Sequence, residues 1–338
     1  MKAAYVKAPY QFQIRNVSLP KPGPRQVLVR VESCGVCGTD AVHIAGSQAG
    51  DWQPFGHEVA GVVEAVGAEV ATVKKGDCVA LESSSFCRTC SLCRNGRVDL
   101  CNRAPGFWNN VAMGFAEKML APVECLVPFS GLDFDTACLA EPLGVAIDLV
   151  KTAEITLDDN VLVIGPGPIG LMALALARRQ TSGMIFLAGN SHSKARMKLG
   201  RKLGADMLIE TDKTPVEQFD FGTRISRVLD TAPPRTLETA IKVAAVGAVI
   251  AYIGIEYGEG ATISFDANEF HFKKLQLRAS FASPALYFPM ALEFLRLGRI
   301  DARAFISHRF PLDRIEEAVR TAAHDKARAV KVVVNPRP

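Results

Sequence analysis

Apolar positions along the first 140 residues come in short runs broken at close intervals. Residues 1 to about 30 read as two short β-runs around Leu19-Pro20-Lys21-Pro22-Gly23-Pro24, a proline-rich turn that cannot be helix. Val27-Leu28-Val29-Arg30-Val31 is strand-like by its β-branched content. A second β region runs through Val59, Val62, Val63, Val66 and Val70, punctuated by Gly61 and Gly67, before Gly76-Asp77 turns into Cys78-Val79-Ala80-Leu81. Many short strands with glycine punctuation predict a β-rich, partly barrel-like domain.

Near residue 140 the pattern changes. The apolar strand Val161-Leu162-Val163-Ile164 leads through a glycine-rich turn into a helical stretch from Ile169 to Arg179. Further strands are expected at Met184 to Ala188, Met207 to Ile209, Arg227 to Asp230 and Ala248 to Gly254, with helices at Lys194 to Leu203 and near Thr236 to Ala245. Strands alternating with helices mean βαβ units and a parallel sheet. After about residue 284 the tail reads as helices from Tyr287 to Leu297 and Asp313 to Ala323, then a strand from Val330 to Val334.

Composition narrows the class. A length of 338 residues suggests about two domains, and 49% hydrophobic residues exclude disorder. No apolar run approaches the ~20 residues of a membrane span, and the start has no apolar stretch with a small-residue cleavage site. The net charge of +4 comes from interleaved acidic and basic residues, without the clustered cations of a nucleic-acid footprint. A cytoplasmic protein without membrane or nucleic-acid partners is expected.

All nine cysteines fall between Cys34 and Cys138. An odd count in a large chain without an export signal argues against a disulfide framework and for metal. The sharpest signal is Cys87-x2-Cys90-x2-Cys93-x7-Cys101. Four thiolates on one short segment can close a tetrahedral shell around Zn²⁺, and a closed shell is structural. An iron–sulfur cluster is the competing reading, and free thiols are the plain one. A dispersed set comprises Cys37 in Gly35-Val36-Cys37-Gly38-Thr39-Asp40, His57-Glu58, and Glu141 in Ala140-Glu141-Pro142. Thiolate, imidazole and carboxylate together suit zinc with an exchangeable position. Singly, each has an ordinary structural explanation. The third signal is Gly165-Pro166-Gly167-Pro168-Ile169-Gly170, directly after a strand and opening a helix. In that context it reads as a dinucleotide fingerprint, with the pyrophosphate at the helix N-terminus.

Gly56-His57-Glu58-x2-Gly61-x5-Gly67, continued by Gly76-Asp77-x-Val79, resembles the zinc signature of the medium-chain dehydrogenase/reductase superfamily. The four-cysteine lobe and the glycine-rich turn follow in that family's order. Cys37-Gly38-Thr39-Asp40 and Ala140-Glu141-Pro142-Leu143 look most like its sorbitol (polyol) and threonine dehydrogenase branch. The resemblance implies a β-rich GroES-like catalytic domain over residues 1–145 and 285–338, and a doubly wound Rossmann domain over 146–284. It implies two zinc ions, with Cys37, His57 and Glu58 as catalytic ligands and Glu141 either ligating or holding a zinc-bound water. Thr39 is expected to accept the proton of a secondary alcohol whose hydride passes to NAD(P), giving the ketone. A homodimer or homotetramer follows, with the late strand near Leu275 to Phe281 a candidate contact.

Two positions depart from the branch. Its relay histidine normally stands five residues after the zinc cysteine, whereas His43 stands six after Cys37. An acid about 20 positions past the glycine-rich turn normally binds the ribose of NAD. The second strand here ends in Ala188-Gly189-Asn190-Ser191-His192-Ser193-Lys194, with no acid. Ser191, His192, Ser193 and Lys194 could instead accept a 2′-phosphate, which favours NADP. For the substrate, Asn109 and Asn110 are candidate polar pocket groups, and Trp52, Phe55, Phe107 and Trp108 candidate apolar ones. Two rivals stand beside the dehydrogenase: a zinc-stabilised dinucleotide-binding sensor or structural protein without turnover, and a nucleic-acid-binding zinc ribbon. Only Arg88, Arg94 and Arg97 in the lobe support the ribbon.

Overall fold

The computed structural model describes residues 1–45 and 50–337, and of His43 only the backbone. The expected relay role of His43 therefore falls on a side chain outside the described residues. The chain divides into two compact units. Unit one comprises Met1–Gly144, Ala282–Asp325 and Lys331–Pro338, and unit two comprises Val145–Phe281 and Lys326–Val330. The short segment Lys326–Val330 thus groups with unit two, where Ala327 and Ala329 carbonyls accept from the Ala195 amide and the Arg196 side chain.

Unit one is built on a seven-stranded sheet. Its order runs Ile306–Pro311, Lys331–Asn335, Gln26–Gly35, Glu58–Val66, Cys78–Leu81, Leu126–Pro128, with Lys118–Pro122 also pairing with Gln26–Gly35. Gln26–Gly35 alternates buried and half-buried residues, with Val27, Val29 and Val31 fully inside, so one face is core and the other is not. Register shifts between it and Glu58–Val66 bend the pair. A smaller sheet pairs Lys2–Lys7 with Gln11–Asn16 and Gln53–Pro54.

Unit two holds a six-stranded sheet, all parallel, in the order Met207–Glu210, Ile185–Gly189, Val161–Ile164, Ile225–Asp230, Ala244–Tyr252, Gln276–Ala279. That is the order 3-2-1-4-5-6 of a Rossmann sheet. The central strand Val161–Ile164 is apolar at every position and wholly buried, as a strand covered on both faces must be. The helix Pro168–Ala177 starts with proline in its first turn, where the missing N–H costs nothing, and buries every residue from Gly170 to Ala177. Among the described residues, no helix is long and apolar enough to cross a membrane.

Candidate functional site

The four-cysteine lobe folds as a series of tight N–H···S turns. The Cys90 amide donates to Cys87 Sγ and the Cys87 amide to Cys101 Sγ, each at 3.3 Å, and the Cys93 amide to Cys90 Sγ at 3.5 Å. These donors favour thiolate. Bonds from Thr89 and the Cys90 amide hold Cys87 down at about 5, while burial and the Cys90 thiol push Cys93 up to about 12. All four sulfurs lie within 4.8 Å of one another, and Cys87 and Cys93 are 4.0 Å apart. A tetrahedron with ~2.3 Å Zn–S arms has edges of about 3.8 Å, so the spacing suits a single ion. Clusters with several irons spread their thiolates wider. All nine cysteines are free, and a disulfide would need sulfurs at about 2.05 Å.

The second set assembles from three elements of unit one. Cys37 sits just after the strand Gln26–Gly35, whereas Glu58 opens the strand Glu58–Val66 that pairs with it and His57 stands immediately before. Their ligand atoms all lie within 4.8 Å of one another and are buried. Glu141 enters from the first turn of the helix Ala140–Ala153 and does not join that close set. Burial above all, with Glu58 and Cys37 adding to it against the pull of His57, still pushes its carboxyl up to about 8.

As bare protein this cluster is poorly compensated. Burial, then Glu58 and Asp40, push the Cys37 thiol up to about 12. Burial alone would keep His57 neutral, but Asp40, Glu141 and Glu58 outweigh it and raise its pKa. His57 Nδ1 is buried without a hydrogen bond, 3.6 Å from Asp40 Oδ1. Glu58 Oε1 accepts from Lys331 Nζ; Oε2 is in ion-pair contact with the same ammonium but has no aligned hydrogen bond. A buried thiol, imidazole and carboxylate with polar atoms left over is the donor chemistry that a dication satisfies.

Two further members complete this site: Lys331, which carried no signal in the sequence, and Asp40, which stood there as part of the Cys37-Gly38-Thr39-Asp40 run without a role of its own. Lys331 is 2% exposed, and it reaches Glu58 from the last strand. Asp40 accepts from the Cys37 amide at 3.0 Å and faces His57. Cys37 Sγ donates to Thr39 Oγ1 at 3.5 Å, which sets the hydroxyl beside that sulfur. Of the expected pocket groups, Asn110 is spent on the Leu120 carbonyl and Phe55 and Phe107 are buried. Trp52 packs with the Ala3, Tyr5, Ala112 and Ala116 cluster. Trp108 remains half exposed, with its ring 5.1 Å from that of His57.

The third set lies in unit two. Gly165 adopts φ +99°, and a Cβ there would lie 2.8 Å from Thr231 Oγ1. A Cβ on Gly170 would lie 2.0 Å from the Gly165 carbonyl, so the helix can approach the turn only with glycine at both places. Thr231 Oγ1 bonds to the Ile164 and Gly165 carbonyls and pins the turn from the fourth strand. Gly167 caps the helix Pro168–Ala177 with no side chain over its first amides, and space around it is open. That cradle fits a pyrophosphate. The sequence shows no acid at the end of the second strand, but folding brings one there. Ser191 donates through its amide (2.7 Å) and its hydroxyl (2.6 Å) to the two carboxylate oxygens of Asp212. Asp212 follows the third strand, 21 residues beyond Ser191, and spacing from the glycines could not find it.

Residues 23–131 match the alcohol dehydrogenase GroES-like domain and residues 168–296 the zinc-binding dehydrogenase family. A sorbitol dehydrogenase of Arabidopsis thaliana is 30% identical, over 98% of this chain and 94% of its own length. A zinc-binding dehydrogenase from Sinorhizobium meliloti 1021, solved bound to NADP, superposes with a TM-score of 0.88 at 26% identity, covering 99% of both chains. An alcohol dehydrogenase from Escherichia coli CFT073, solved with NADH, gives 0.89 at 26% identity over 99% of both. The chain belongs to the zinc-dependent medium-chain dehydrogenase/reductase superfamily. Within it, the chain falls in the polyol and threonine dehydrogenase branch, and it is a zinc-dependent oxidoreductase.

Proposed function

We propose that the protein interconverts a secondary alcohol of the polyol, sugar, cyclitol or amino-alcohol class and its ketone. Cys37, His57 and Glu58 hold the catalytic zinc, and Cys87, Cys90, Cys93 and Cys101 a structural one. When bound, zinc supplies a Lewis acid for the substrate oxygen and the nicotinamide supplies the hydride acceptor. Thr39 Oγ1 takes the proton of the substrate hydroxyl. Asp40 holds His57 in orientation, as a carboxylate behind a ligating imidazole does. Lys331 fixes the Glu58 carboxylate, and Glu141 orients a water beside the three ligands. The backbone from Gly165 to Gly170 receives the dinucleotide pyrophosphate, with Ser191, His192 and Lys194 on the loop where the adenosine ribose approaches.

The observation that carries this reading is the buried Cys37–His57–Glu58 set, whose ligand atoms lie within 4.8 Å of one another and whose Glu58 Oε2 makes no hydrogen bond. A sensor without turnover has no comparable observation in its favour. Metal analysis tests the reading first: two zinc ions per chain are expected, and brief chelation should remove about half the metal and all the activity. One zinc in fresh, active protein contradicts it. A screen of polyols, sugars and amino alcohols by nicotinamide absorbance then selects the substrate. A homodimer or homotetramer is supported by Gln276–Ala279, which is an edge strand, with Leu277 exposed on it and Phe281 exposed just beyond. Nine unpaired thiols suit a reducing cytoplasm.

A further inference from the structure

Cofactor choice turns on what meets the adenosine ribose, and here the groups that point there differ from those the strand ends suggest. Read alone, Ser191 with His192 and Lys194 offers a hydroxyl and cations to a 2′-phosphate. In the fold, both donors of Ser191 are already committed to the Asp212 carboxylate. The commitment is built into the sheet. Ile185–Gly189 runs parallel to Met207–Glu210 with Gly189 opposite Glu210. One step on, the Thr211 amide donates to the Gly189 carbonyl and Thr211 Oγ1 to Asn190 Oδ1 at 2.8 Å. That register carries Asp212 to Ser191.

The bonds from Ser191 keep Asp212 ionised by drawing its pKa down. Each carboxylate oxygen has two lone pairs, and Ser191 uses one on each. The remaining pair on each oxygen can accept from vicinal ribose hydroxyls, the role normally filled by an acid on the second strand. Toward a 2′-phosphate the same carboxylate is a like charge, and the Ser191 hydroxyl is no longer available to donate. His192, Lys194 and Asp212 are all exposed, so solvent screens all three charges; what sets Asp212 apart is that two bonds from Ser191 fix its carboxylate in place.

We propose that Asp212, carried by the third strand instead of the second, is the specificity-determining carboxylate of the dinucleotide site and makes the enzyme prefer NAD(H) to NADP(H). This rests on the dinucleotide reading above and replaces the preference for NADP drawn from the strand end alone.

The test uses two adenosine probes, 5′-ADP and adenosine 2′,5′-bisphosphate, titrated by calorimetry into the full-length, zinc-loaded protein. The wild type should bind 5′-ADP at least tenfold more tightly than the bisphosphate. Asp212→Asn, which keeps an acceptor for Ser191, should shrink that ratio at least tenfold, chiefly by tightening the bisphosphate. Unchanged thermal melting establishes that the variant is folded, and Asp212→Ser serves as the second variant. A wild type that prefers the bisphosphate, or a ratio unmoved in both variants while the probes still bind, overturns the role of Asp212. Binding of neither probe, together with no binding of NADH, overturns the dinucleotide reading itself.

Discussion

Lys331 and Glu58 form an ion pair with both side chains almost wholly removed from water. Breaking such a pair leaves one buried charge unanswered, at roughly 3–5 kcal/mol. Lys331→Met should therefore cost about that much in denaturant unfolding of chelated protein, and adding Glu58→Gln should recover most of it. Recovery of none would assign the loss to packing. Asp230 gives a prediction of the opposite kind. It is fully buried at the end of its strand, and burial pushes its carboxyl up to about 7 despite bonds from the Ala232 amide and the Thr236 hydroxyl. The unfolded carboxyl titrates near ~3.9, so between these values the folded state holds the extra proton. Stability must then fall as pH rises through that window, by on the order of 4 kcal/mol at ~1.36 kcal/mol per unit. Asp230→Asn should flatten the slope of unfolding free energy between about pH 4 and 7, a window set by those two values. An unchanged slope would place the titration elsewhere.

Among the elements, the four-cysteine lobe has little core of its own. Its helix Ser91–Arg94 is a single turn that buries only Cys93, and the following 3-10 turn Val98–Leu100 buries nothing. Its shape therefore depends on metal, whose binding energy is folding energy. Cys90→Ser should yield chain that loses one zinc and much of its soluble yield; full yield with both metals retained would contradict a structural role. How far such elements could be read beforehand follows their periodicity. The strand Val161–Ile164, the turn after it and the helix from Pro168 stand out because apolar runs and glycines sit at fixed steps. The cysteine lobe stands out for the same reason, since all four donors fall within 15 residues of chain, Cys87 to Cys101. Lys331, Thr231 and Asp212 did not stand out. Each acts on a residue brought to it by strand pairing or a neighbouring strand end, and separations such as 273 residues between Lys331 and Glu58 leave no local trace.

For the whole molecule, the six-stranded sheet ends on Gln276–Ala279, whose outer edge is unpaired among the described residues, with Leu277 39% and Phe281 71% exposed. If the proposed homo-oligomer forms through this edge, Leu277→Lys should shift it toward monomer by light scattering, because charge on an edge opposes strand pairing. An unaltered mass would exclude this edge as the contact. The last strand carries a different consequence. Lys331–Asn335 lies between Ile306–Pro311 and Gln26–Gly35 and delivers the cation that answers Glu58. A growing polypeptide with only its first 300 residues outside the ribosome lacks both the middle strand of that edge and its lysine. The metal set around Cys37 thus waits for a strand 273 residues beyond Glu58, and its completion follows the emergence and pairing of that strand.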